Sequence, residues 1–112
     1  MKNLITRRIL KTSKYSFQGL LSAWKSEEAF RIEVLLLLAL LPAAFFIGRS
    51  AVEICLLIMS LLIVLIVELL NTGLEKAIDR ISMDVNHISG FVKDVGSAAV
   101  AISLIQALVV WA

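Results

Sequence analysis

The sequence is poor in the residues that most soluble domains depend on. It holds a single cysteine, Cys55, so no disulfide framework can form within one chain. It holds one proline, Pro42, and one histidine, His87, which leaves no paired-histidine metal motif. No glycine-rich stretch ends in Gly-Lys-Ser/Thr, and no kinase-type glycine loop is present. Charged residues make up 18% of the chain and nearly cancel, for a net charge of +2, so no nucleic-acid surface is indicated. No cleavable leader is evident either. The first apolar run begins only after residue 30, and Leu40, Pro42 and Ala44 make a poor cleavage site.

What the chain has instead is hydrocarbon. Sixty per cent of its 112 residues are apolar, and the mean hydropathy is +0.94. A soluble domain of this size buries only about 60–70% of its chain's surface. It could not hide that much apolar surface, so the excess must face something other than water. A soluble enzyme and a disordered tail are both disfavoured.

The apolar residues fall in three runs. Ile32 to Gly48 has no charge after Glu33, Ala51 to Leu70 is bounded by Glu53 and Glu68, and Val95 to Ala112 has no charged side chain. A spanning helix needs about 20 mostly apolar residues, with a usable range of about 17–25. Helices also satisfy their own backbone hydrogen bonds in lipid. The expectation is an all-α membrane protein with transmembrane segments at 32–48, 51–70 and 95–112. Pro42 is expected to kink the first span, and Cys55 to lie in the core of the second.

Seven of the eleven basic residues precede Ile32, and Lys76, Arg80 and Lys93 follow the second span. Basic residues stay on the cytoplasmic side. The 1–31 arm and the 71–94 segment are therefore placed in the cytoplasm, with the C-terminus outside. Within the arm, Ile5 and Ile9, and then Phe17, Leu20, Leu21 and Trp24, follow helical spacing. Lys and Arg fill the other side, which predicts an amphipathic helix lying in the interface. A basic anchor on anionic lipid is the plainer reading of the same pattern.

At the inner mouth of the second span, Glu68, Asn71, Thr72, Glu75 and Asp79 share an arc of about 100° on a helical wheel. The second helix is thus expected to run on past the membrane with an acidic stripe. Intramembrane ionisable groups are functional candidates. Two chemistries suit the stripe: passage of protons or cations, and magnesium held by one or two carboxylates with substrate phosphates. A solvated face laced with Lys76 and Arg80 is the bland alternative. Phosphate chemistry is favoured by Lys93 and Asp94 at the same level, since a lysine neutralises phosphate as a point charge. Ser97 lies one turn deeper. Glu27, Glu28, Arg31 and Glu33 cluster where the arm enters the first span.

These residues carry a family resemblance. The string Glu68-Leu-Leu-Asn-Thr-Gly-Leu-Glu-Lys-Ala-Ile-Asp-Arg80 resembles the signature of the small prokaryotic diacylglycerol kinases. So do Gly90-Phe-Val-Lys-Asp-Val-Gly-Ser-Ala-Ala99, Tyr15-Ser-Phe-Gln-Gly-Leu20, Ala23-Trp24 and Glu28-Ala-Phe-Arg31. The resemblance covers almost the whole chain. It implies a single homotrimeric membrane kinase domain over 1–112, in a bacterial inner membrane. Such a kinase moves the γ-phosphoryl group of ATP, with Mg2+, to a lipid alcohol.

Carried over by position, the resemblance makes Glu68 the general base and Glu27 and Glu75 the magnesium ligands. It assigns Arg8, Tyr15, Glu27, Asn71, Glu75, Lys93 and Asp94 to ATP, with Asp84, Val85 and Asn86 near the adenine end. Arg8, Trp24, Arg31, Glu33, Glu68 and Ser97 fall along the lipid site. Glu27 is aligned with the metal ligand, rather than Glu28, because it stands three residues before Phe30. The 84–87 loop departs from the family's acidic–Tyr–His run, reading Asp-Val-Asn-His. Diacylglycerol is the expected substrate, on the Ser89-Gly90 and Gly96-Ser97-Ala98 details. Undecaprenol is the alternative within the fold. A holin-like pore or small assembly subunit is the alternative of another class.

Overall fold

The computed structural model describes residues 2–81 and 87–112. Those residues form four helices and no strand: α1 (Lys2–Ser26), α2 (Glu28–Ile47), α3 (Ala51–Ile81) and α4 (His87–Trp111). The last three are each long and apolar enough to cross a membrane. The protein is all-α, as its three apolar runs require.

The helices extend beyond the apolar runs. At about 1.5 Å per residue, the 31 residues of α3 reach about 46 Å, well past a hydrocarbon core of about 30 Å. The acidic stripe therefore rides on the same rigid rod as the second span. The other two helices also begin early, α2 at Glu28 rather than Ile32 and α4 at His87 rather than Val95. Polar residues carry each helix outward, because lipid limits the apolar run and not the helix. Helix α2 continues through Pro42.

Two connections fix the order of the rods. Between α1 and α2, Glu27 is extended, with φ −117° and ψ 109°. The Arg31 guanidinium reaches back from α2 and donates to the carbonyls of Trp24 (2.9 Å) and Lys25 (3.2 Å). Those carbonyls lie in the last turn of α1, where helix ends leave acceptors unpaired and the dipole favours a cation. Arg31 thus pins the surface helix to the first span.

Between α2 and α3, Ser50 caps α3 and Glu53 reaches back to the residue before the cap. The Glu53 N–H donates to Ser50 Oγ (3.1 Å), and the Arg49 N–H donates to Glu53 Oε2 (2.6 Å). Gly48 sits in this turn with φ −68°, so its value is space and not conformation. A Cβ there would run into the Ile54 side chain and come within 3.0 Å of the Ala44 carbonyl oxygen.

Helix α3 lies between α2 and α4 and packs most extensively on α4. The α3–α4 seam is closed by a polar clamp. Gln106 Nε2 donates to the carbonyls of Ser60 (2.7 Å) and Ser103 (2.9 Å). Trp111 Nε1 donates to the Leu57 carbonyl and to Ser60 Oγ, both at 3.1 Å. The Ser60 and Ser103 hydroxyls donate to carbonyls in their own helices. Lipid offers no hydrophobic drive for helices to associate, so such bonds and close packing do the work, at about 0.6 kcal/mol per bond.

Few large apolar side chains are buried: Phe30, Leu57 and Val64 are, whereas Leu36, Phe46 and Leu108 stand exposed. Cys55, expected in the core, is exposed, because it lies on a face of α3 that neither neighbouring helix covers. In α1 only Ala23 is buried, and the stripe of Ile5, Ile9, Phe17, Leu20 and Leu21 is open. That open stripe is what an interfacial helix needs.

Candidate active site

The site builds up from the polar stripe of α3. Glu68 is buried, at 8% exposure, at the point where the apolar part of α3 gives way to polar residues. Glu75 follows two turns later on the same face, half-buried, and its carboxylate accepts a hydrogen bond from Asn71 Nδ2 (3.3 Å). From the α1–α2 junction comes Glu27, half-buried and without a capping bond to occupy its carboxylate. Helix α2 adds Glu33. Glu68 lies within electrostatic reach of Glu27, Glu33 and Glu75. Four carboxylates from α3, α2 and the α1–α2 junction thus converge on one end of the bundle. Among the described residues, no lysine or arginine is ion-paired with any of them.

Two polar atoms here are left over. Glu33 Oε2 and Asn71 Oδ1 are buried and have no hydrogen-bond partner. Buried polar atoms are nearly always paired, and each exception calls for an explanation such as an ion or ligand. Asn71 also meets α4 closely, since a Cβ at Gly96 would strike its side-chain amide. Glycine at 96 thus lets α4 approach the stripe.

The other expected site residues are distributed less evenly. Lys93 on α4 is exposed and donates to Asp79 Oδ1 at 2.7 Å, with Glu75 also within electrostatic reach. Helix α4 therefore brings its cation to the acidic stripe, where it is already paired. Asp94 and Ser97 are exposed beside it. Arg31 and Trp24 meet as described, guanidinium to carbonyl. Arg8 and Tyr15 stand exposed on α1, and no hydrogen bond or ion pair joins either of them to the carboxylates. Glu28 is exposed. Asp84, Val85 and Asn86 lie outside the described residues.

The donor set can be tested against magnesium. Among the described residues, no three His, Cys, Asp or Glu side chains are grouped so as to hold a metal ion unaided. Magnesium does not ask for that, since it is usually bound by one or two carboxylates plus substrate phosphates. The hard carboxylate oxygens of Glu27 and Glu75, which make no salt bridge to a lysine or arginine among the described residues, fit that habit.

Sequence reasoning missed the pinning role of Arg31 and the Gln106 clamp. A signal existed for the clamp: Ser60, Ser103 and Gln106 are isolated polar residues within apolar runs, which usually face another helix. No comparable signal marked Arg31, whose acceptors are backbone carbonyls.

The chain is similar to known proteins over most of its length. A family model described as prokaryotic diacylglycerol kinase matches residues 14–112. The diacylglycerol kinase of Haemophilus influenzae is 46% identical over 103 residues, covering 92% of this chain and 87% of that protein. Those of Pseudomonas aeruginosa and Escherichia coli K12 are 43% and 42% identical, covering 95% and 93% of this chain and 86% and 85% of theirs. With its three membrane-length helices and a match that takes in α2, α3 and α4 whole, the chain belongs to the prokaryotic diacylglycerol kinase family.

Proposed function

We propose that this chain transfers the γ-phosphoryl group of ATP to the free hydroxyl of diacylglycerol, giving phosphatidic acid and ADP. The observation that carries the reading is the buried Glu68 carboxylate, set among Glu27, Glu33 and Glu75 where the apolar bundle ends. A lipid alcohol can reach that depth without withdrawing its chains from the bilayer. In the step itself, the lipid oxygen attacks the γ-phosphorus and the bond to the β-phosphate oxygen breaks. The hydroxyl proton passes to Glu68. General-base help of this kind is worth about 10²–10⁴-fold.

Glu27 and Glu75 would hold Mg2+, which supplies charge neutralisation on the triphosphate. The rest of phosphoryl transfer is positioning and charge stabilisation. Asn71 orients the Glu75 carboxylate. Lys93 exchanges Asp79 for phosphate oxygens, with Asp94 at the same level. Arg8 and Tyr15 serve the nucleotide, and their exposure on α1 leaves them available to a neighbouring protomer's site in a homotrimer. The segment Asp84 to Asn86 takes the adenine end. Glu33, Trp24, Arg31 and Ser97 border the lipid headgroup. The basic residues before Ile32 and between the second and third spans argue for an N-terminus in the cytoplasm and a bacterial inner-membrane location.

Purified protein in mixed micelles with γ-labelled ATP and magnesium tests this, with diacylglycerol and undecaprenol offered separately. Label in phosphatidic acid is the expected result. Preferential labelling of undecaprenol would reverse the substrate assignment, and transfer to neither would remove the kinase reading.

A further inference from the structure

Among the described residues, Gly96 on α4 is the one buried glycine. Its backbone does not require glycine, since no glycine here has a positive φ. The space beside it does. A Cβ at Gly96 would run into Asn71 Oδ1 and stand 3.3 Å from Asn71 Cγ. At Gly73, on α3 and exposed, a Cβ would meet nothing within 4 Å.

We propose that Gly96 is a positioning residue for the magnesium site: its missing β-carbon seats the Asn71 amide, and the seated amide holds the Glu75 carboxylate in place. The inference rests on the kinase reading above. Three observations carry it. First, the line of contact is short. Gly96 abuts Asn71, and Asn71 Nδ2 donates to Glu75 Oε1 at 3.3 Å, one helical turn along α3.

Second, α4 is fastened to α3 on both sides of Gly96. Lys93 binds Asp79 on one side, and Gln106 and Trp111 bind Ser60 and Leu57 on the other. An added carbon therefore displaces the Asn71 side chain, a flexible group, before it displaces a helix.

Third, Asn71 cannot absorb the carbon by turning its amide over. Cγ stays closer than ordinary van der Waals contact. The turn would also aim the amide oxygen at the Glu75 carboxylate, acceptor against acceptor. The side chain has to move as a whole, and Glu75 loses its donor. Such hydrogen-bonded partners orient metal ligands and tune their affinity.

The test uses Mn2+ as a paramagnetic stand-in for magnesium. Its binding to purified protein in micelles, with a non-hydrolysable ATP analogue, is followed by loss of the free-ion electron paramagnetic resonance signal. The magnesium concentration for half-maximal lipid phosphorylation is measured beside it. Wild type, Gly96→Ala, Gly73→Ala, Asn71→Ala and the double variant Gly96→Ala/Asn71→Ala are compared. Gly96→Ala is expected to weaken Mn2+ binding by about tenfold, the lower end for loss of an outer-shell partner, and to raise the magnesium requirement in parallel. Gly73→Ala is expected to change neither. With Asn71→Ala there is no amide to displace, so Gly96→Ala is expected to add less than about twofold. Residues that act through one another are non-additive in this way.

Equal weakening by Gly96→Ala with and without Asn71 would overturn the proposal, as would wild-type Mn2+ affinity in Gly96→Ala. Loss of folding in Gly96→Ala, read by thermal unfolding, would overturn it too, because the helix and not the amide would then have yielded. A wild type that phosphorylates no lipid would fail the kinase reading instead, while the Mn2+ comparison still decides the role of Gly96.

Discussion

Two groups of polar atoms sit in this apolar bundle, and they are finished differently. In the clamp between α3 and α4, Gln106, Trp111, Ser60 and Ser103 all donate to partners inside the protein. At the Glu68 end, four carboxylates approach one another, and Glu33 Oε2 and Asn71 Oδ1 remain unpaired. Both groups are costly to bury in the absence of water. The clamp recovers that cost through its own bonds and acts as a fastener. The carboxylate group does not recover it, since Glu33 Oε2 and Asn71 Oδ1 have no hydrogen-bond partner among the described residues. The lesson is that polarity within a membrane bundle is not in itself a mark of function. The mark is polarity that the fold leaves unsatisfied.

Substitutions can break or sharpen this contrast. The largest effect is expected from Glu68→Gln, which keeps shape and removes the base. Its kcat in the labelled-ATP assay should fall by about 10²–10⁴-fold, the usual worth of a positioned base. Glu75→Gln comes next. The magnesium concentration for half-maximal activity should rise by about tenfold or more, the range seen even for outer-shell partners of a metal. An unchanged magnesium titration would remove Glu75 from the metal site. Lys93→Met should raise the KM for ATP severalfold with a smaller change in kcat, since a point charge on phosphate mainly serves binding. On the clamp side, Gln106→Leu should lower stability by about 1 kcal/mol, the scale of a bond or two between helices in a membrane. Its kcat/KM should stay close to wild type, and a catalytic loss as deep as that of Glu68→Gln would erase the distinction between the two groups.

Much of this fold could be read from the residues because lipid is a demanding solvent. Three apolar runs of membrane length leave little choice but three helices, and the 3.6-residue period of the acidic stripe extends α3 to Ile81. The arm was equally legible, since Ile5, Ile9, Phe17 and Leu20 repeat at helical spacing. What escaped depends on how the rods cross. The bond between Lys93 and Asp79 joins residues fourteen apart on different helices, so no local pattern announces it. The break at Glu27 is fixed by Arg31 binding backbone carbonyls, which carry no sequence signal. Cys55 was misplaced because an all-apolar helix does not reveal which of its faces meets protein and which meets lipid.

The candidate site was legible in part. Glu27, Glu33, Glu68 and Glu75 do come together. Arg8 and Tyr15 stand on an exposed stretch of α1 and, among the described residues, make no salt bridge with them.

The central claim is that the gathered carboxylates divide their labour, Glu27 and Glu75 toward the metal-bound nucleotide and Glu68 toward the lipid hydroxyl. The most direct test measures, in one preparation of Glu68→Gln, the affinity for a non-hydrolysable ATP analogue with magnesium and the single-turnover rate of transfer to diacylglycerol. The account predicts near wild-type affinity with transfer suppressed. Loss of nucleotide affinity with an undiminished rate at saturating ATP would contradict it.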